Sequence, residues 1–268
     1  MVFVAEIRSG NAGGIVAPER RTDKSFPDCK ACPVSGYGIY AATMKAAPER
    51  IPNLRARVSL YEPHQAMLVQ DHPSEHIGSL RSGWAYAHKT LQGGRRHILA
   101  FLLPGDLVGI DLMAMGRNPL PYGITALSDA SVCWFATEAF HELVRAEGAQ
   151  RSATQFWMSL YVSRFSLRTA MIGHATATAR LAEFVLELFI RLRHRNLARG
   201  DGYEFLPTQS QVADCLGLTP AYVSMTLTRL RKRGILEIRD RTLRVLDERE
   251  LHRIANAKDS EAATLNTK

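Results

Sequence analysis

The segment Thr208-Gln-Ser-Gln-Val-Ala-Asp-Cys-Leu-Gly-Leu-Thr-Pro-Ala-Tyr-Val-Ser-Met-Thr-Leu-Thr-Arg-Leu-Arg-Lys-Arg-Gly-Ile-Leu236 constrains this chain more than any other stretch. It reads as a helix-turn-helix. Thr208 is placed to cap a first helix whose Val212, Ala213 and Leu216 face inward, and the small Ala213 lets a second helix cross closely. Gly217 supplies a left-handed turn. Thr219 then Pro220 marks the second start: a capping hydroxyl, followed by a proline whose missing N–H costs nothing at the first helical position. Val223, Leu227 and Leu230 make the buried stripe of this second helix.

What remains outside that stripe is the face a major groove would meet: Ala221, Tyr222, Ser224, Met225, Thr228 and Arg229, with Thr219 and Pro220 at the helix start. Thr208, Gln209 and Ser210, at the head of the first helix, complete the set. Arg231 and Lys232, with Arg233, suit phosphate contacts. Ile235 to Leu246 reads as two short alternating strands around Asp240-Arg241, a wing. Between Arg229 and Arg244 the basic residues Arg229, Arg231, Lys232, Arg233, Arg239, Arg241 and Arg244 face only Glu237 and Asp240, so positive charge gathers where a duplex would lie. A helical hairpin with a solvated basic face is the plainer alternative; it requires two start signals, a glycine turn and a wing to coincide by chance.

The whole chain is consistent with a polyanionic partner. Its 268 residues carry a formal net charge of +8, and cations that displace counterions from phosphates supply the non-specific part of nucleic-acid affinity. No run approaches the roughly 20 apolar residues that cross a bilayer, and the opening MVFVAEIRSG lacks the pattern of a secretory signal. The expected location is the cytoplasm, without a membrane partner. The four cysteines, Cys29, Cys32, Cys133 and Cys215, are too scattered for a disulfide framework and are read as thiols or ligands. No phosphate loop, Gly-x-Ser-x-Gly elbow or cluster of acids with histidine is present, so no enzyme is expected.

Upstream, the texture changes twice. Residues 1–44 are rich in Gly, Ala, Pro and charge and read as a flexible leader with a short helix near Ile39 to Lys45, its one chemical feature being Cys29-Lys-Ala-Cys32. From about Leu54 to Ala136, short apolar runs punctuated by turn residues have the spacing of an antiparallel sandwich or barrel. After that the chain is helical: a short helix capped by Thr137, then Gln150 to about His174, then Ala175 to His194, ended by Gly200-Asp-Gly202. Phe156, Met158, Leu160, Val162, Phe165, Leu167, Met171 and Ile172 make the middle helix apolar on so broad a face that it needs covering on more than one side. Pairing with a second copy would supply that cover. Arg191, Arg193 and Arg195 sit at the end of the last helix, where cations favour the dipole.

These features resemble the Crp/Fnr family of bacterial regulators from about residue 45 onward. The matching pieces are Leu80-Arg-Ser-Gly83, Leu103-Pro-Gly-Asp-Leu-Val-Gly109, the long helix before Ala175 and the helix-turn-helix. The resemblance implies an α+β protein: a leader (1–44), a cyclic-nucleotide-binding-like β-roll or jelly roll (45–149), a dimerisation helix (150–174), a winged helix-turn-helix (175–255) and a tail (256–268). It implies a homodimer on a two-fold symmetric DNA site, with RNA polymerase as partner where it activates. A regulatory module whose C-terminal helices bind protein is the alternative.

The signal is less determined. Members that bind cyclic AMP look to grip its phosphate with an Arg-Ser pair, absent from Gly109 to Gly123, so cyclic AMP is not expected although Asp111 and Arg117 are present. The oxygen-sensing Fnr branch is more similar: Asp106-Leu-Val-Gly-Ile-Asp111 and Ser131-Val-Cys133 match its roll. Cys29, Cys32 and Cys133 match three of the four thiolates that hold its iron–sulfur cluster. The third leader cysteine is missing, with Gly38 near its place. A cluster with a different fourth ligand, a thiol–disulfide switch and an inert relic all remain open, and no cofactor is assigned. Cys133 by default is a buried apolar residue, Cys215 a small core residue. Fnr relatives look to read DNA with Glu-x-x-Ser-Arg, whereas Ala221-Tyr-Val-Ser224-Met225 keeps only the serine, so a different preferred site is expected.

Overall fold

The computed structural model describes residues 29–112, 119–199 and 202–256. Cys29–Ala31 forms one 3₁₀ turn, followed by helices α1 (Ala41–Ala46) and α2 (Arg50–Leu54). Eight strands follow, β1 (Arg55–Tyr61), β2 (Ala66–Leu68), β3 (His76–Ser82), β4 (Ala85–Thr90), β5 (Arg96–Leu102), β6 (Leu107–Val108), β7 (Gly123–Ala126) and β8 (Ala130–Ala136). They make two antiparallel four-stranded sheets, ordered β1-β8-β3-β6 and β2-β7-β4-β5. Between the sheets lie Met67, Leu80, Val132 and Trp134, with Leu112 and Leu120 folded in from the loop after β6. This is the expected β-roll.

Strand alternation gives β8 two roles. Val132 and Trp134 turn into the roll, while Cys133 and Phe135 face outward onto a second cluster containing Ile39, Tyr40 and Phe140. That cluster is covered by α3 (Thr137–Ala146) and the head of α4 (Gly148–His174). Part of the expected leader is also built into it. Ile39 and Tyr40 are buried, Thr43 donates to Gln150 Oε1 at 2.7 Å, and Gln150 Nε2 donates to the Ile39 carbonyl at 3.1 Å. Residues 1–28 lie outside the described part.

Beyond α4 come α5 (Ala177–His194), β9 (Ala198–Arg199), β10 (Gly202–Glu204), α6 (Gln209–Leu216), α7 (Pro220–Lys232), β11 (Leu236–Arg239), β12 (Thr242–Val245) and α8 (Glu248–Ala255). The wing is wider than its two expected strands, because β10 and β9 extend it to a sheet ordered β11-β12-β10-β9. One apolar core runs from the roll (Trp84, Phe101) through α5 (Phe184, Leu188) to the helix-turn-helix (Val212, Leu216). Each such side chain contributes about 1.5–3 kcal/mol by burial. Among the described residues, no helix is long and apolar enough to cross a membrane.

Three local expectations are corrected. Thr137 does not cap α3: Ala136 holds the cap position and the buried Thr137 hydroxyl has no hydrogen-bond partner among the described residues. The cap that forms is Thr176, which accepts from the Ala179 N–H and starts α5 two residues later than expected. That helix ends at His194 as expected, but Asn196 at φ 53° follows it there, ahead of the glycines expected to end it, since a short polar side chain tolerates the left-handed region.

Candidate nucleic-acid interface

The two starts of the helix-turn-helix form as the residues dictate. Thr208 accepts from the Gln211 N–H at 3.2 Å while Gln211 Oε1 accepts from the Thr208 N–H at 2.9 Å, a complete capping box. Gly217 adopts φ 63°, ψ 41°, and the Thr219 hydroxyl accepts from the Tyr222 N–H at 3.2 Å with Pro220 in the first turn. The buried stripe of α7 differs by one residue: Thr226 is buried beside Val223 and Leu230, while Leu227 is only partly covered. The intervals 223–226–230 follow the helix period as well as 223–227–230 do; hydrophobicity alone favoured leucine.

The expected DNA-facing residues are available at the surface. Thr208, Gln209, Ser210, Thr219, Pro220, Ala221, Met225, Thr228, Arg231, Lys232 and Arg241 are exposed, and Tyr222, Ser224 and Arg229 are half-buried. Met225 stands 56% exposed, an apolar tip offered to a groove. In the wing, Asp240 and Arg241 both have positive φ, 47° and 59°, the two-residue turn whose twist matches a hairpin. An arginine in that region costs roughly 1–2 kcal/mol relative to glycine, yet it holds a cation at the wing tip. Arg233 is drawn aside, its Nη2 2.6 Å from Glu250.

The arginines of α5 have a different fate from the one expected. Only Arg193 is a surface cation, paired with Glu248 at 2.7 Å. Arg191 and Arg195 are buried and converge on Asp106, in the Leu103-Pro-Gly-Asp turn between β5 and β6. Burial alone would raise the Asp106 carboxyl, but the two guanidiniums and the Leu103 N–H, which donates to it at 2.7 Å, hold it down at about 2. Glu187 extends the network to Arg191 at 2.9 Å and Arg168 at 3.3 Å. Arg168 in turn donates to the Leu99 carbonyl at 2.7 Å and to Cys215 Sγ at 3.5 Å. Arg96 on β5 pairs with Asp214 on α6 at 2.9 Å. The DNA-reading unit is thereby fastened to its own roll by charge as well as by apolar packing.

The structure brings three cysteines toward one place. Cys29 accepts a hydrogen bond from Arg55 Nη1 at 3.3 Å. Cys133 is half-buried rather than fully buried, and burial together with the nearby Cys32 pushes its thiol up to about 11. Cys215 lies apart, buried in the helix-turn-helix as expected. Among the described residues, no group of three or more His, Cys, Asp or Glu is arranged to hold a metal ion. A four-thiolate cluster therefore does not fit this donor set, because Cys29, Cys32 and Cys133 supply three thiols and Cys215 lies apart. Nor do the described residues offer a cyclic phosphate a buried cation inside the roll, whose fully buried charge is Asp106; Arg117 lies outside the described residues.

A Crp-like helix-turn-helix domain model matches residues 179–254, and a cyclic nucleotide-binding domain model matches residues 58–147. The chain is 30% identical over 230 residues to the transcriptional activatory protein AadR of Rhodopseudomonas palustris, covering 84% of this chain and 92% of that protein. It is 26% identical over 227 residues to the transcriptional activator protein Anr of Pseudomonas aeruginosa, covering 85% and 92%. The structure of FixK2 from Bradyrhizobium japonicum shares the fold with a TM-score of 0.66 at 24% identity, over 75% of this chain and 97% of that one. With a β-roll, a long connecting helix and a winged helix-turn-helix in this order, the chain belongs to the Crp/Fnr family of DNA-binding transcription regulators.

Proposed function

We propose that this regulator works as a homodimer joined along α4 and grips a two-fold symmetric duplex with paired copies of α7. One observation carries the reading. The inner side of α4 packs Trp157, Met158 and Tyr161 on its own roll, while Phe156, Val162 and Phe165 stand 61–64% exposed and Leu167 50%. Val162, Phe165 and Ile172 recur at intervals of three and seven residues, the spacing of a two-stranded coiled-coil seam. An apolar stripe of this size on a polar protein marks an interface.

On DNA, Ala221, Tyr222, Ser224, Met225, Thr228 and Arg229 meet base edges. Thr208, Gln209, Ser210, Thr219 and Pro220 fix the helices on the backbone, and Arg231, Lys232 and Arg241 neutralise phosphates. Without the Glu and Arg of the Fnr pattern, the preferred half-site differs from Fnr's. The remaining assignments are a cytoplasmic location, RNA polymerase as partner when the protein activates, and a redox-responsive signal in place of a cyclic nucleotide.

Sedimentation velocity on the full chain, with selection of duplexes from a random pool, tests the reading. The expected outcome is a dimer and a palindromic site with a steep salt dependence. Val162→Asp with Phe165→Asp is expected to give a folded monomer that loses at least about tenfold in affinity for that site. A wild-type monomer, or selection of asymmetric sites, overturns it.

A further inference from the structure

We propose that Cys29 and Cys32 form a thiol–disulfide site whose state reaches the DNA-binding unit through Tyr37, the Gly38–Gly105 contact and Asp106. The proposal deepens the redox-responsive reading above and rests on it for its effect on DNA; its chemistry and its relay are tested separately.

The chemistry starts from local geometry. The Cys32 N–H donates to the Cys29 carbonyl at 3.2 Å, closing a 3₁₀ turn. Side chains three apart eclipse one another in such a turn, which brings residues 29 and 32 to the same side of it. Both cysteines are half-buried, open to a small oxidant and sheltered from large ones. The Arg55 guanidinium donating to Cys29 Sγ at 3.3 Å stabilises negative charge on that sulfur and marks Cys29 as the attacking thiolate. A hydroperoxide is the oxidant. The Cys29 sulfur attacks one peroxide oxygen; the S–O bond forms, the O–O bond breaks, and the departing oxygen takes a proton and leaves as water or an alcohol. Cys32 loses its proton and attacks the sulfenic sulfur; the S–S bond forms, the S–O bond breaks, and hydroxide leaves with that proton as water. Two electrons pass from the two thiols to the peroxide.

The relay is a run of direct contacts. A Cβ on Gly38 would lie 2.7 Å from the Gly105 carbonyl oxygen, and one on Gly105 would lie 2.7 Å from the Tyr37 ring. The segment after the thiol turn therefore rests backbone to backbone on the Pro104-Gly105 turn. The Tyr37 ring is within electrostatic reach of Cys32, Asp106 and Arg195, with the Arg195 guanidinium 6.0 Å from its centroid. Asp106 follows Gly105 directly and holds Arg191 and Arg195 of α5; Arg195 also donates to the Pro104 carbonyl at 2.7 Å. A disulfide constrains Cβ atoms to about 3.5–4.5 Å, so closing it fixes the turn whose continuation touches the anchor of the DNA-binding unit.

The experiment uses the full chain, reduced and then treated with hydrogen peroxide. Peptide mapping is expected to find a Cys29–Cys32 disulfide, absent in Cys29→Ser and in Cys32→Ser. Hydrogen exchange of the peptide ending α5, around Arg191 to Arg195, is expected to change by roughly fivefold or more on oxidation. Tyr37→Ala is expected to form the disulfide and lose that exchange response. For the reduced protein's selected duplex, affinity is expected to change by a similar factor between the two states. A different or absent disulfide, stoichiometric iron and sulfide in protein purified without oxygen, or exchange at α5 indifferent to oxidation would each overturn the proposal. Failure of both states to bind any duplex would overturn the DNA reading alone, leaving exchange to decide the relay.

Discussion

Two sets of basic residues in the C-terminal unit show how position alone divides one chemistry into two jobs. Arg191 and Arg195 are buried against Asp106 and join this unit to the roll. Arg231, Lys232 and Arg241 are exposed on α7 and the wing tip. A buried guanidinium must be matched by a fixed anion, because desolvation is otherwise too costly. An exposed one costs little and stays available to a phosphate. The first set should therefore govern stability and domain docking, and the second affinity, with little crossover.

Breaking the buried set should have the largest effect. Asp106→Ala leaves the buried Arg195 without its carboxylate and Arg191 with Glu187 alone, and urea denaturation is expected to show a loss of about 3–5 kcal/mol; a loss within 1 kcal/mol would mean the cluster opens to water. Acid should probe the same bond. The Asp106 carboxyl is held at about 2 against an ordinary 3.8. The folded value is the lower one, so its contribution is present above the ordinary value and disappears as the pH falls from about 4 toward 2. Denaturation midpoints measured across that window should decline less steeply in Asp106→Asn than in the wild type.

Smaller effects should sharpen the contrast from the exposed side. Arg241→Gly relieves a left-handed arginine and is expected to raise stability by up to about 1 kcal/mol. It should also lower affinity across all duplexes, reducing the salt slope by about one; loss of stability would show that the side chain serves the wing's fold. Thr208→Ala removes the capping box and should cost about 1 kcal/mol in thermal melts. Glu248→Ala, which unpairs the exposed Arg193, should cost only about 0.2–1 kcal/mol. A larger loss would mean that α8 depends on that pair to stay docked.

Much of the DNA-reading surface was legible in the sequence, because helix starts and turns are local. Thr208, Gly217, Thr219-Pro220 and Asp240-Arg241 act within four residues of themselves, and each took its expected conformation. Strand spacing gave the roll for the same reason. The misreadings involve partners distant in the chain. Thr137 resembles a cap until its neighbours fix the backbone, and Thr226 is buried because of what α7 packs against. Arg191 and Arg195 look like helix-end cations until Asp106, 85 and 89 residues away, meets them.

The sequence by itself determined the order of units, the helix-turn-helix and its exposed residues, and the want of a third leader cysteine, since these depend on local periodicity, capping and residue identity. Only the tertiary structure decided that Asp106 anchors α5, that Cys133 turns outward toward Cys29 and Cys32, and that Gly38 rests on the Gly105 turn beside that anchor. Those facts depend on which surfaces bury one another, and burial is settled by the whole chain at once.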